Sequence, residues 1–134
     1  MPNVITGIVK RHKGRGKTLG FPTANLEIDK NAEEGIFLGF TRINNAPQPF
    51  LRLRRGEGEI LPSLIFIGAS KTFGETDKKA EIYILGFAGD LYGKELKVEL
   101  VKKLRENVKF NSKEELIEQM REDERLAREY FNQI

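Results

Sequence analysis

The feature that most constrains this fold is a series of short segments rich in β-forming residues that occupies most of the chain ahead of a single helical segment. Glycine, proline and asparagine punctuate these segments, as in turns between strands. Many short strands of this kind predict an all-β barrel or sandwich, here followed by one helix. The predicted strands are residues 4–10, 36–43, 50–54, 64–67, 81–87 and 96–104.

The helix is predicted near the carboxyl end. Ser112 followed by Glu115 is a capping box, and Glu114 adds negative charge to the first turn. Asp123 and Glu124 interrupt the apolar stripe of this helix, and we interpret them as a rim where it leaves the barrel. The stripe itself falls at helical spacing and predicts a packing surface, formed by Leu116, Ile117, Met120, Ala127, Tyr130 and Phe131.

Composition fits one domain over residues 1–134, with 39% hydrophobic residues for a core and no visible internal boundary or repeat. The absence of cysteine excludes disulfides and thiolate metal sites and favours a cytoplasmic setting. No apolar run reaches the length of a membrane span, and no signal-peptide core is present at the amino end.

A basic, glycine-rich segment precedes two neutral oxygen-bearing side chains. Gly14 and Gly16 let the backbone approach an anion, and Lys17 supplies a cation for phosphate. Thr23 and Asn25 share one face of an extended segment and offer oxygens that suit Mg²⁺. This pattern indicates a nucleotide–magnesium site. The glycines alone are more often those of an ordinary loop between strands, and neither a P-loop nor a Rossmann fingerprint is present.

The basic residues at positions 10–17 surround His12 without any acid between them, so they attract polyanions. A nucleoside triphosphate and RNA both remain open as partners, as does a solvated basic loop. His12 is the only histidine in the chain, and its place beside lysines is typical of a surface residue.

Residues 14–26, GRGKTLGFPTANL, resemble the signature of the riboflavin kinase (flavokinase) family of bacteria and eukaryotes, a PTAN motif behind a glycine-rich loop. The resemblance runs from Ile5 to Phe131. It implies six antiparallel strands with Greek-key connections, and ATP-dependent phosphorylation of riboflavin at its 5′-hydroxyl to give FMN. Further matches, in order, are 35–37 (GIF), 66–68 (FIG), 72–74 (TFG), 81–85 (EIYIL), 90–93 (DLYG), 104–105 (LR), 109–110 (KF) and the final helix.

Glu81 is the predicted catalytic base. Its apolar neighbours in the strand would partly bury the carboxylate and favour such a role, whereas a surface position at the head of a strand is equally compatible with the pattern. The resemblance decides for catalysis, because Glu81 aligns with the glutamate thought to activate the riboflavin hydroxyl.

The remaining roles are implied by the resemblance alone. Tyr92 and Phe110 are equally compatible with a place in the core, and Asp123 is a weaker candidate for a flavin contact. An aromatic ring and a guanidinium suit a planar flavin. The implied positions are Thr23 and Asn25 for Mg²⁺, Gly14, Gly16, Lys17, Thr23, Ile84 and Tyr92 for the nucleotide, and Arg105 and Phe110 for the flavin.

Two departures from the family pattern bear on substrate preference and efficiency. Lys71 stands where the family usually has proline, and residues 50–59 are unusually charged, with a second basic patch at 52–55. Neither change touches Thr23, Asn25 or Glu81.

The rival hypotheses are a nucleic-acid-binding barrel that uses both basic stretches, and a catalytically silent flavin-binding barrel. The chain lacks tryptophan and interleaved aromatics, which disfavours the first. The expected partners are therefore riboflavin and FMN with ATP and ADP, without nucleic acid or membrane, for a monomer. Because Met1 directly precedes the first strand, we also expect the adenylyltransferase half found in many bacterial relatives to be missing.

Overall fold

The computed structural model describes residues 3–10, 23–29, 31–44, 60–69, 78–87 and 91–133. The predicted strand at 50–54, the loop positions Gly14, Gly16 and Lys17, and the departure at Lys71 lie outside these ranges. Within them, the chain forms six strands followed by one helix. The elements are β1 (Val4–Ile8), β2 (Ala24–Glu27), β3 (Gly35–Asn44), β4 (Leu61–Gly68), β5 (Lys79–Ile84), β6 (Glu95–Arg105) and α1 (Lys113–Asn132).

All six strands pair antiparallel in one sheet with the order β1-β6-β3-β4-β5-β2. Strand β6 returns beside β3 after the β3-β4-β5 meander, which is the Greek-key arrangement. The two edge strands approach each other where the Lys10 amide donates to the Asn25 carbonyl at 2.8 Å. The predicted all-β, six-stranded barrel with a carboxyl-terminal helix is therefore confirmed, with the sheet closed by an isolated bridge.

Strand alternation separates an inner face of the sheet from an outer one. On β5, Ala80, Ile82 and Ile84 are buried in the inner cluster, and Leu26 and Ile65 from neighbouring strands pack with them. Each leucine or isoleucine side chain buried in this way contributes about 1.5–3 kcal/mol relative to exposure. The inner cluster supplies the main core of the barrel.

The outer face of β3, β4 and β5 is covered by helix α1. Ile36, Leu38 and Leu64 from the sheet pack with the fully buried Ala127 of the helix. Towards the end of the helix, the Phe131 ring meets that of Phe40 edge-on, with 5.2 Å between centroids. The amphipathic stripe predicted from sequence is thus a packing surface.

The amino end of α1 is capped as predicted. The Ser112 hydroxyl accepts the Glu115 amide at 3.1 Å, and the Glu115 carboxylate reaches back to the Asn111 amide at 3.3 Å. This reciprocal pattern satisfies backbone donors that the helix cannot pair internally. It fixes where the helix begins after the connection from β6.

The interpretation of Asp123 and Glu124 as a rim is wrong. Asp123 is only 1% exposed and faces the sheet, and Glu124 bonds to Tyr83 of β5. An acidic side chain can lie in a buried helix interface when a cation or a hydrogen-bond donor pairs with it there. Here the sheet supplies those partners, so the helix remains docked through both residues.

Candidate active site

One row of directly paired residues crosses five strands on the outer face of the sheet. Asn25 pairs with Glu81, Glu81 with Phe66, Phe66 with Ile36, and Ile36 with Arg105. Residues opposite each other in such pairs point to the same side. The register therefore brings a carboxylate, a carboxamide and a guanidinium predicted from sequence to one face.

Thr23 and Asn25 flank Glu81 from the neighbouring strand. The Thr23 hydroxyl donates to Oε1 of Glu81 at 3.3 Å, and Asn25 lies opposite Glu81 in the register. Both residues belong to the PTAN segment, which is extended, so that alternate side chains share a face. The arrangement holds the carboxylate beside two neutral oxygen-bearing side chains.

The side-chain oxygen of Asn25 is a buried polar atom without a hydrogen-bond partner among the residues that the structure describes. Its backbone carbonyl, in contrast, accepts the Lys10 amide, which closes the barrel at this point. Leaving a buried amide oxygen without a partner costs about 1–3 kcal/mol, so this oxygen is a candidate ligand for a bound cation. Lys10 and Asn25 also flank the glycine-rich segment, so both ends of that segment meet here.

The donor set fits Mg²⁺, which takes oxygen ligands and usually keeps several waters and substrate phosphates. Asn25 Oδ1, the Thr23 hydroxyl and the nearby Glu81 carboxylate are all hard oxygens. No cluster of three or more histidine, cysteine, aspartate or glutamate residues that could hold a metal occurs in the described ranges. A magnesium ion here would depend on phosphate oxygens to complete its shell.

A shallow cleft that is open to solvent, with free space of about 20 Å³, lies between this face of the sheet and helix α1. Glu81 and Thr23 contribute the polar side chains on the sheet side, and Asp123 contributes the polar side chain from the helix. The cleft is largely apolar and open, so a planar organic ring could lie across its mouth, although none would fit inside it. Its other lining residues are Ile36, Leu64, Phe66, Tyr83 and Met120.

Arg105 lies at the end of β6 and forms a two-pronged ion pair with Asp123. Its Nε and Nη2 atoms donate to the two carboxylate oxygens at 2.8 and 2.7 Å. Gln119, one turn earlier in the helix, donates to the same carboxylate at 3.1 Å. This pair satisfies a carboxylate that would otherwise be costly to bury.

The Arg105 guanidinium also contacts two aromatic rings, Phe66 at 5.8 Å and Phe110 at 5.7 Å from its centre to the ring centroids. Such contacts combine ring stacking with attraction to the π-face. Two residues assigned to the flavin by resemblance, Arg105 and Phe110, are therefore together at one end of the cleft face. Their contact with a flavin stays a prediction.

The predicted nucleotide positions are not all gathered at this cleft. Ile84 is 4% exposed in the inner cluster, on the opposite face of β5 from Glu81. Tyr92 is half exposed in the turn before β6, beside Gly93, which has a positive φ of 81°. Their nucleotide roles stay predictions, as do those of Gly14, Gly16 and Lys17, which lie outside the described residues.

Sequence reasoning missed several residues that line the cleft. Phe66 and Tyr83 are predicted only as parts of matched motifs and Met120 as a packing residue, whereas Asp123 is predicted both as part of a rim and as a weaker candidate for a flavin contact. Alternation offered a signal for Tyr83, because it lies two residues beyond Glu81 and hence on the same face. Met120 carried no such signal, since the side of the helix that meets the sheet depends on tertiary packing.

The antiparallel barrel with its carboxyl-terminal helix agrees with the fold that comparisons with known proteins find. The flavokinase (riboflavin kinase) family model matches residues 1–131, so the chain belongs to this family. Members of the family use ATP to phosphorylate riboflavin.

Two curated relatives cover nearly all of the chain. The trifunctional protein RibF/MnmA of Mycoplasmoides gallisepticum is 34% identical over 98% of this chain and 18% of its own length. The bifunctional riboflavin kinase/FMN adenylyltransferase of Escherichia coli is 33% identical over 97% of this chain and 38% of its own length. The chain thus spans about two fifths or less of the length of these relatives.

Among solved structures, the riboflavin kinase of Trypanosoma brucei superposes with a TM-score of 0.63 at 24% identity. The match covers 96% of this chain and 79% of that one. At this identity the likeness establishes the fold, and the site must be argued from the residues themselves.

Proposed function

We propose that this chain phosphorylates riboflavin at its 5′-hydroxyl with ATP as donor, giving FMN and ADP. The observation that carries the proposal is the position of Glu81. Its carboxylate lines an apolar cleft and lies directly beside Thr23 and the unpartnered oxygen of Asn25. A base at the junction of an organic cleft and a metal–phosphate site is what phosphoryl transfer to an alcohol requires.

Glu81 acts as the general base. Thr23 donates to Oε1 of Glu81 and so orients the carboxylate, and we assign the incoming proton to Oε2. As the acceptor oxygen bonds to the γ-phosphorus, its O–H bond breaks towards Glu81 and the bond from the γ-phosphorus to the ADP oxygen breaks. Positioned proton transfer of this kind contributes about 10²–10⁴-fold in rate.

Thr23 and Asn25 would hold Mg²⁺. When bound there, the ion would neutralise charge on the phosphates, as it does throughout phosphoryl transfer. The basic glycine-rich segment starts after Lys10, whose backbone amide bonds to the Asn25 carbonyl. We assign Gly14, Gly16 and Lys17 of this segment to the triphosphate. Ile84 and Tyr92 belong to the same assignment for the nucleoside.

The flavin belongs across the mouth of the cleft between the sheet and α1. Phe66 and Tyr83 offer flat or apolar surface, and Met120 offers an adaptable one. Arg105 and Phe110 would close one end over the ring, with Asp123 holding the guanidinium in place. A ring held there would leave its polyol chain within reach of Glu81, which lines the same cleft.

The proposal also extends to setting and assembly. An enzyme that consumes ATP works where ATP is held, so we place it in the cytoplasm, as a monomer whose partners are its substrates and products. No helix within the described residues is long and apolar enough to cross a membrane.

The test is incubation with riboflavin, ATP and Mg²⁺, followed by chromatography for FMN. FMN formation that requires all three supports the proposal. Riboflavin binding without FMN would indicate the silent flavin-binding barrel instead.

A titration with single-stranded RNA at two salt concentrations addresses the nucleic-acid alternative, since phosphate-tracking binding weakens steeply with salt. For a kinase, Lys17→Ala raises the KM for ATP more than Lys10→Ala or Arg11→Ala, because exposed charges far from the phosphates are screened. Tight, salt-sensitive RNA binding with equal effects from all three lysine and arginine variants would contradict the kinase function of this segment.

A further inference from the structure

Tyr83 links strand β5 to helix α1 at the edge of the cleft. It lies two residues beyond Glu81 on the same face of β5, and its side chain lines the cleft. Its hydroxyl donates to Oε2 of Glu124 at 3.2 Å. A single residue therefore contributes to the cleft wall and bonds to the helix that covers the cleft.

Glu124 is itself held in place by Arg128, one turn further along the helix. The Nε and Nη2 atoms of Arg128 donate to the same Oε2 at 3.0 and 2.7 Å. Burial and then the Glu124 charge raise the pKa of Tyr83, so its phenol stays protonated and remains a donor at neutral pH. The network fixes the carboxylate that receives the Tyr83 hydroxyl.

Two polar links from different strands reach successive residues of the helix. Arg105 of β6 binds Asp123, and Tyr83 of β5 binds Glu124, with β3 and β4 lying between those strands. The cleft lies over this intervening part of the sheet. Besides the apolar packing, the helix is therefore tied to the sheet on both sides of the cleft, by a buried ion pair at Asp123 and by a weaker polar contact at Glu124.

We infer that Tyr83 is a positioning residue for the acceptor: acting through Glu124, it holds helix α1 in place against β5 and so fixes the wall of the cleft on which the planar ring of riboflavin rests. The inference rests on the proposed function, and it adds a determinant of acceptor binding outside the base and the metal site. Tyr83 takes no part in proton transfer. Its removal therefore affects acceptor binding and leaves the chemical step unchanged.

The test is Tyr83→Phe, which keeps the ring and removes the hydroxyl. We expect the KM for riboflavin to rise about 5-fold, the effect of losing one partly exposed hydrogen bond. The kcat and the KM for ATP should stay within about 2-fold, since the chemical step is untouched. The Kd of riboflavin, measured by quenching of its fluorescence without ATP, should rise with the KM.

Glu124→Ala removes the acceptor of the same bond and should give the same rise, and Tyr83→Phe combined with Glu124→Ala should give no further rise. Glu122→Gln is the matched control, because Glu122 pairs with Arg125 on the same helix and takes no part in the cleft lining. It should leave both the KM and the Kd unchanged.

A purely structural role would lower the Tm and leave the KM and Kd for riboflavin unchanged. That outcome, or additive effects in the double variant, would overturn the inference. The fluorescence titration requires no turnover, so it tests Tyr83 even if the parent chain makes no FMN, a result that would count against the proposed function alone.

Discussion

The two faces of strand β5 carry side chains of different polarity. Ala80, Ile82 and Ile84 point into the barrel, where the packing is almost entirely aliphatic. Glu81 and Tyr83 point outwards into the cleft beneath α1. A single strand thus carries core residues at even positions and candidate functional residues at odd ones, which period-two alternation makes possible.

The buried polar atoms on the two faces differ in the same way. Inside the barrel, Thr41 and Ser63 hydroxyls bond to each other at 2.8 Å, and Ser63 donates to the Leu61 carbonyl. On the outer face, Asn25 keeps an unpartnered oxygen beside Glu81. Fully satisfied polar pairs stabilise a core, whereas an unsatisfied group is tolerated where a ligand will pair with it. This contrast is the reason for placing the candidate site on the outer face.

The largest effect is expected at the buried ion pair of the outer face. Arg105→Met would leave the Asp123 carboxylate beneath the helix without its cation, and we expect unfolding free energy to fall by about 3–5 kcal/mol. Asp123→Asn should cost less, because the Arg105 side chain is 17% exposed and reaches solvent. Urea unfolding of both variants measures the difference.

Arg105→Met combined with Asp123→Leu provides the control, since replacing both partners by apolar groups leaves no stranded charge. We expect it to recover most of the lost stability. Equal losses in the two single variants, or no recovery in the double one, would contradict the asymmetric burial of this pair.

The next effect separates chemistry from stability on the outer face. Glu81→Gln keeps the size and hydrogen bonding of the side chain and removes the base, so FMN formation should fall by about 100-fold or more. ATP and riboflavin affinities and the Tm should barely change. Glu27→Gln, an exposed position on the adjacent strand β2, is the matched control. Near-parental turnover by Glu81→Gln would remove Glu81 from its role.

Asn25 offers a change of opposite sign in activity and stability. Asn25→Ala deletes the unpartnered oxygen, so Mg²⁺–ATP affinity and turnover should fall together, by roughly 10-fold for one lost ligand. The Tm measured without Mg²⁺ should hold or rise, because a buried group without a partner is gone. Thr23→Ala should weaken Mg²⁺–ATP binding as well. Unchanged Mg²⁺–ATP affinity in both variants would show that the PTAN segment only connects strands and does not hold the metal.

Much of the fold was predictable from local signals. The capping box at Ser112 located the start of the helix, and β-forming runs located β3, β4 and β6 to within a few residues. The strand predicted over residues 81–87 instead runs from Lys79 to Ile84 and ends before Gly86, which adopts a positive φ of 73°. A glycine in that conformation stops a strand in a way that hydrophobicity alone does not reveal.

The site was predictable only in part. Alternation in the PTAN segment put Thr23 and Asn25 on one face, and the structure brings both to Glu81. The pairing of Arg105 with Asp123 joins residues 18 positions apart on different elements, so it depends on how the helix docks. For the same reason, Asp123 in the apolar stripe of the helix was predicted to mark a rim, whereas it is the buried partner of Arg105.

The smallest effect is expected at the exposed ion pairs of α1, on the side away from the cleft lining. Arg125 bonds to Glu122 and Glu129, and the Arg125 guanidinium lowers the pKa of Glu122. A lowered folded-state pKa means that the pair stabilises the protein above the ordinary carboxyl pKa and loses that effect as pH falls through the folded value.

Because these side chains are solvated, Glu122→Gln should lower the Tm at pH 7 by no more than about 1–2 °C. The difference between variant and parent should vanish at acid pH, where the carboxyl is protonated. Thermal unfolding at both pH values gives the comparison with Arg105 and Asp123. A drop at Glu122 as large as at the buried pair would show that burial does not separate the two faces of this helix energetically.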